Sequence, residues 1–170
     1  LTTLRVILVP FFIIAFLMEH YMAALVIFAV ASVTDFFDGK IARSRNLVTN
    51  FGKIMDPLAD KILVYSALVL FVQFDIIDGW MLIIILAREF VIAGMRTVAA
   101  SEGTVLAAGM SGKIKTVLQM VAVIIMILGL ALPMIPVMAK VGYVIFLASL
   151  VMTVYSGAEY IIKNISVFSM

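Results

Sequence analysis

Residues 35–43 read DFFDGKIAR, and after eight further residues the chain continues with GKIMDPLAD at residues 52–60. The first stretch follows the apolar run VIFAVASVT, and the second leads into another apolar run. Four aspartates therefore lie beside segments whose composition suits the interior of a membrane. Because a charge at the bilayer centre costs about 2.5–3.5 kcal/mol even on a lenient insertion scale, these acids need a cationic partner.

The composition limits what the protein can be. Of its 170 residues, 65% are hydrophobic and only 13% are charged, which indicates an integral membrane protein. The absence of cysteine and the presence of a single histidine exclude thiolate sites and imidazole clusters, so a metal ion would have to be held by oxygen atoms. A formal charge of +2 does not suggest a nucleic-acid partner.

The apolar runs have the length of membrane spans. A bilayer core of about 30 Å requires roughly 20 helical residues. Short connections separate the runs, and no repeat or linker divides the chain, so we predict a single all-α domain over residues 1–170. The predicted transmembrane helices of this bundle number six and cover residues 3–18, 22–43, 51–74, 80–100, 112–132 and 135–160.

The basic residues predict the orientation of this bundle. Most of the lysines and arginines fall on the side that holds both chain ends, whereas the opposite side has Lys140 alone. Because cytoplasmic loops carry the excess of positive charge, we expect both termini and the four aspartates at the cytoplasmic face of a multi-pass protein. The chain starts at Leu1 without a methionine, and we expect a few native residues before it.

The spacing of the acids predicts that they converge. Offsets of three, four and seven residues place one set on a single helical face, namely Asp35, Asp38, Gly39 and Ala42. Asp56 and Asp60 are four residues apart and share a face of the following helix. The short connection makes an antiparallel hairpin, so the two acidic faces can meet.

Carboxylates gathered in this way suit hard divalent cations. Without histidine or cysteine nearby, Mg²⁺ or Mn²⁺ fits better than zinc. Two such ions about 3.5–4 Å apart can hold a phosphoryl group during a displacement. The alternative, in which interfacial aspartates only pair with neighbouring lysines and arginines, explains neither the shared faces nor the small residues beside them.

As a pattern, the two stretches read D-x-x-D-G-x-x-A-R, eight residues, G-x-x-x-D-x-x-x-D. This pattern resembles the signature of the CDP-alcohol phosphotransferases, and it agrees with that signature at every specified position. The resemblance implies six transmembrane helices, an active site on the cytoplasmic side and, commonly, a homodimer. It also implies transfer of a phosphatidyl or related group from a CDP-linked donor to an alcohol, with release of CMP.

The resemblance assigns roles to individual residues. The carboxylates that would hold two Mg²⁺ or Mn²⁺ ions are those of Asp35, Asp38, Asp56 and Asp60. Asp60 is also the candidate general base, because it could take a proton from the attacking hydroxyl. The residues that would line the site of the CDP-linked donor are Thr34, Gly39, Ala42, Arg43 and Gly52.

The second half of the chain narrows the acceptor. The segments REF at residues 88–90 and GKIKT at residues 112–116 resemble bacterial members that join CDP-diacylglycerol to sn-glycerol 3-phosphate. A phosphate dianion needs fixed cations. The candidates for that role are Arg96, Lys113, Lys115 and, less directly, Arg5. Anchoring of helix ends at the cytoplasmic face is the alternative explanation for these cations.

Arg88 and Glu89 lie deeper in the fourth predicted span. Adjacent helical positions diverge by about 100°, so we expect no direct pair between them and a mainly structural role.

Two alternative functions of the protein stay open. One is a family member with another acceptor, such as inositol phosphate, serine or phosphatidylglycerol. The other is a divalent-cation or proton-coupled transporter, because acids within a membrane often mark ion paths.

Overall fold

The computed structural model describes residues 2–32, 50–101, 103–104, 106–107 and 109–165, and at residues 2–5 and 50–60 it describes the backbone alone. All regular secondary structure in this part of the chain is helical. The helices, in chain order, are α1 (Thr2–Leu17), α2 (Tyr21–Ser32), α3 (Asn50–Gln73), α4 (Gly79–Ser101), α5 (Met110–Ala131) and α6 (Pro136–Lys163).

These helices confirm the predicted all-α class over the described residues. Helix ends lie within about three residues of the predicted ones, apart from the C-terminal part of the second predicted span, which lies outside the described residues. Within the described part, α5 and α6 are long and apolar enough to cross a bilayer, while Val6–Leu17, Tyr21–Ser32 and Lys61–Gln73 are shorter apolar helices. The crossing of a membrane by all six helices stays a prediction.

Phenylalanine side chains form the packing contact between α1, α2 and α3. Phe12 and Phe16 on α1, Phe28 on α2 and Phe71 on α3 are all completely buried. The ring centroids of Phe12 and Phe28 are 5.7 Å apart, and those of Phe16 and Phe71 are 5.9 Å apart. Both distances fall in the range that favours tilted aromatic pairs, so this cluster fixes how the first three helices pack.

Glycines allow α5 and α6 to approach closely. A Cβ atom at Gly129 would lie 2.7 Å from the backbone nitrogen of Ala139, and one at Gly142 would lie 2.9 Å from the backbone nitrogen of Met126. Real Cβ atoms essentially never come that near another backbone. The α5–α6 hairpin therefore depends on glycine at both positions, as membrane helices in close contact often do.

Candidate functional site

A polar cavity of about 440 Å³ lies between α3, α4, α5 and α6, at the end of the bundle where α5 begins and α6 ends. Its lining carries several ionisable and hydroxyl groups, which belong to Lys61, Arg88, Glu89, Arg96, Ser111, Lys113, Thr116, Ser156 and Tyr160. A cavity of about 500 Å³ near the α5–α6 turn has Lys140 as its one charged lining residue and is otherwise mostly apolar. Because convergent polar groups mark binding sites better than volume does, the 440 Å³ cavity is the candidate site.

Glu89 is the centre of the charged lining. Its carboxylate accepts hydrogen bonds from Arg88 and Lys115 at 2.8 Å each, and from Lys61 at 2.9 Å. The Glu89 side chain is only 11% exposed, and that of Lys115 is 4% exposed. One carboxylate on α4 thus binds cations from α3, α4 and α5. We call these four side chains the Glu89 cluster, and their formal net charge is +2.

The expectation that Arg88 and Glu89 do not pair was wrong. It rested on the directions of the two Cα–Cβ bonds, but a guanidinium sits at the end of four rotatable bonds and can turn back toward its neighbour. The surrounding helices hold Arg88 in that bent conformation: a Cβ at Gly112 would lie 3.1 Å from its Nη2 atom, and one at Gly157 would lie 3.0 Å from its Cγ atom. Nη2 also donates to the Ser156 hydroxyl at 3.1 Å.

Arg96 contacts α6 rather than Glu89. Its Nε donates to the Tyr160 hydroxyl at 3.0 Å, and its central guanidinium carbon lies 5.4 Å from the centroid of that ring. Tyr160 is 7% exposed, whereas Arg96 is open to the cavity. A buried ring therefore holds an exposed guanidinium at the cavity wall.

The structure brings together part of the predicted acceptor site. Arg96 and Lys113 line the same cavity. Lys115 lies behind the lining, against Glu89. The side chain of Arg5 lies outside the described part, so its assignment stays a prediction.

The predicted donor and metal residues are described only in part. Asp35, Asp38, Thr34, Gly39, Ala42 and Arg43 lie outside the described residues. For Gly52, Asp56 and Asp60 the structure gives the α3 backbone, and the last two are four residues, about one helical turn, apart. Among the described side chains, no group of three or more acids or histidines could hold a metal ion. The aspartate site stays a prediction.

Sequence reasoning did not assign Lys61, Ser156 or Tyr160 to the site. Lys61 carried a usable signal, because it directly follows Asp60 at the end of the acidic motif. Ser156 and Tyr160 carried none, because only the packing of α6 against α4 brings them to Arg88 and Arg96.

Comparison with known proteins gives a consistent result. The sequence profile of the CDP-alcohol phosphatidyltransferase family matches residues 1–155. A Bacillus subtilis protein named CDP-diacylglycerol–glycerol-3-phosphate 3-phosphatidyltransferase is 47% identical over 144 residues, covering 85% of this chain and 74% of its own length. A protein of the same name from Shigella flexneri is 39% identical over 170 residues, with coverages of 95% and 90%. A Mycobacterium tuberculosis relative, named "Probable phosphatidylglycerophosphate synthase", is 36% identical over 169 residues, with coverages of 96% and 78%.

Proposed function

The chain belongs to the CDP-alcohol phosphatidyltransferase family, and from that premise we propose that it transfers the phosphatidyl group of CDP-diacylglycerol to sn-glycerol 3-phosphate. The products are phosphatidylglycerophosphate and CMP. The cationic cavity between α3, α4, α5 and α6 carries this proposal, because its cluster around Glu89 keeps a formal charge of +2. A phosphate dianion complements that charge.

Arg96 and Lys113 are the groups that we assign to the phosphate of the acceptor. With Nε held by Tyr160, the remaining edge of the Arg96 guanidinium can donate two parallel hydrogen bonds to phosphate oxygens. Lys113 lies in the first turn of α5, where backbone N–H groups also favour an anion. Lys115 lies behind the lining against Glu89, so in this proposal it adds positive charge to the site without touching the acceptor, and Arg5 is the further proposed contact.

The aspartates form the donor half of the proposed site. Asp35, Asp38, Asp56 and Asp60 fit two Mg²⁺ or Mn²⁺ ions by their chemistry, and the helical backbone of α3 is compatible with Asp56 and Asp60 sharing a face. Bound ions would supply neutralisation of the donor diphosphate. The residues assigned to the cytidine and phosphates of the donor are Thr34, Gly39, Ala42, Arg43 and Gly52.

Asp60 acts as the general base in this proposal. It accepts the proton of a glycerol hydroxyl while the hydroxyl oxygen forms a bond to the phosphorus that carries diacylglycerol. The bond from this phosphorus to the bridging oxygen of the diphosphate breaks, and CMP leaves with the electron pair. Arg96 and Lys113 hold the acceptor by its phosphate, so the hydroxyl is the free end that meets the donor.

The proposed setting is a bacterial cytoplasmic membrane crossed by six helices, with a homodimer as the assembly. The excess of basic residues on the side of the predicted bundle that holds both chain ends supports cytoplasmic termini and a cytoplasmic site. The candidate cavity lies where α5 begins and α6 ends, and the distribution of basic residues predicts that this side is cytoplasmic. A water-soluble acceptor can reach that side, while the lipid donor arrives within the membrane.

An acceptor panel tests the proposed function. The purified protein, in mixed micelles with CDP-diacylglycerol and Mg²⁺ or Mn²⁺, should release CMP with sn-glycerol 3-phosphate and not with inositol phosphate, serine or phosphatidylglycerol. Asp60→Asn should keep the fold and lose turnover, whereas Asp78→Asn, in the turn between α3 and α4, should keep both. Absence of CMP release by the wild-type protein, or a preference for an unphosphorylated alcohol, would refute the proposal.

A further inference from the structure

Glu89 connects the walls of the candidate cavity. Lys61 reaches it from α3 at 2.9 Å, and Lys115 reaches it from α5 at 2.8 Å. Its neighbour Arg88 donates both to Glu89 and to Ser156 on α6. The helices that enclose the cavity are thus joined through a single carboxylate and the arginine beside it.

Three donors on one poorly exposed carboxylate make a rigid junction. Charge-assisted hydrogen bonds are shorter and stronger than neutral ones, and low exposure to water strengthens them further. The Lys61 side chain is 44% exposed and would be mobile by itself, but the Glu89 side chain that holds it is 11% exposed. The ion pair with Glu89 therefore restricts the conformations of the Lys61 side chain.

We propose that Glu89 is a positioning residue of the transfer reaction, which holds α3 at Lys61 against the acceptor cavity and so sets the distance between Asp60 and the bound acceptor. This inference rests on the proposed function. Asp60 directly precedes Lys61, and one helical step is about 1.5 Å of rise and 100° of rotation. A contact that fixes Lys61 consequently limits both the sliding and the rotation of α3 at Asp60.

The charges around Glu89 predict the effect of replacing it with a neutral residue. In Glu89→Gln, three cations would face one another without a carboxylate between them, and their repulsion would release Lys61 first because it is the most exposed. The acceptor phosphate would then serve as the missing counter-ion, so its binding would not weaken. Turnover would fall, because a displacement of about 1 Å between reacting groups can cost on the order of 100-fold in rate.

The kinetic experiment compares kcat and KM for sn-glycerol 3-phosphate in the wild-type protein and three variants. Glu89→Gln should lower kcat at least about tenfold while KM stays equal or falls. Glu89→Asp, which keeps the charge on a side chain one methylene shorter, should recover part of kcat. Glu19→Gln, in the α1–α2 turn, removes the same group outside the site and should leave both constants unchanged.

A double-mutant cycle with Lys61→Gln tests the route of the effect. If Glu89 acts through Lys61, the double variant should lose no more kcat than Glu89→Gln alone. Thermal unfolding of each purified variant separates loss of folded protein from loss of turnover. An unchanged kcat per folded molecule, a rise in KM alone, or fully additive losses would overturn the inference. Wild-type protein that releases no CMP would instead overturn the proposed function, and the inference with it.

Discussion

The Arg96 guanidinium on α4 donates from Nε to the Tyr160 hydroxyl on α6, with 3.0 Å between the two atoms. Its central carbon also lies 5.4 Å from the centroid of the tyrosine ring, within the range of a cation–π contact. Tyr160 is nearly buried, so it is the fixed partner. This arrangement commits one edge of the guanidinium to α6 and leaves the opposite edge for a ligand in the cavity.

Tyr160→Phe should weaken binding of the acceptor. The ring stays, but Nε loses its acceptor and the guanidinium can rotate away from the orientation that suits a phosphate. We expect KM for sn-glycerol 3-phosphate to rise about three- to tenfold, with a smaller change in kcat, since a hydrogen bond to a charged group contributes about 1.5–3 kcal/mol when buried and less when partly exposed. Steady-state assays of CMP release measure both constants.

Tyr155→Phe is the matched control for that experiment. Tyr155 lies on the same helix, is 59% exposed and is not part of the cavity lining. Its hydroxyl should therefore be dispensable for both constants. Equal KM values for Tyr160→Phe and the wild-type protein would show that the hydroxyl does not orient Arg96 for the substrate.

Gly129→Ala should destabilise the α5–α6 hairpin. The added Cβ would meet the backbone of Ala139 at 2.7 Å, and backbone atoms cannot turn aside as a flexible side chain can. Overpacking of this kind costs about 1–3 kcal/mol, so the midpoint of thermal unfolding in detergent should fall by several degrees. Gly94→Ala is the control, because a Cβ there meets nothing within 4 Å. An equal midpoint for the two variants would contradict the close approach of α5 and α6.

Removal of divalent cations should abolish turnover reversibly. Excess chelator should stop CMP release, and added Mg²⁺ or Mn²⁺ should restore it, because carboxylates without histidine or cysteine favour these hard ions. Asp56→Asn should require a higher concentration of the ion for half-maximal activity. Binding of Mn²⁺, followed by electron paramagnetic resonance in the absence of substrates, should weaken in parallel. Full activity in excess chelator would refute the proposal that the reaction requires a divalent cation.

The sequence predicted the helices well because the length of an apolar run follows directly from the thickness of a bilayer. It also predicted that Arg96 and Lys113 would share a site, since the C-terminal end of α4 and the N-terminal end of α5 lie at the same end of the bundle. It did not predict the contacts of Glu89 or Tyr160. Those depend on how each helix is rotated about its own axis, and helices that are apolar on most of their faces carry little periodic signal for that rotation.

Lys113→Met should weaken acceptor binding in a way that depends on salt. Lys113 is exposed, lines the cavity and lies in the first turn of α5. Salt in the surrounding water can therefore screen the attraction between its charge and the phosphate. KM for sn-glycerol 3-phosphate should rise several-fold at low ionic strength, and raising salt should increase KM less steeply for the variant than for the wild-type protein. Lys140→Met, which removes a charge from the lining of the 500 Å³ cavity near the α5–α6 turn, should change neither KM nor its salt dependence. Identical salt dependence in Lys113→Met and the wild-type protein would assign Lys113 to anchoring of the helix end instead of to the acceptor.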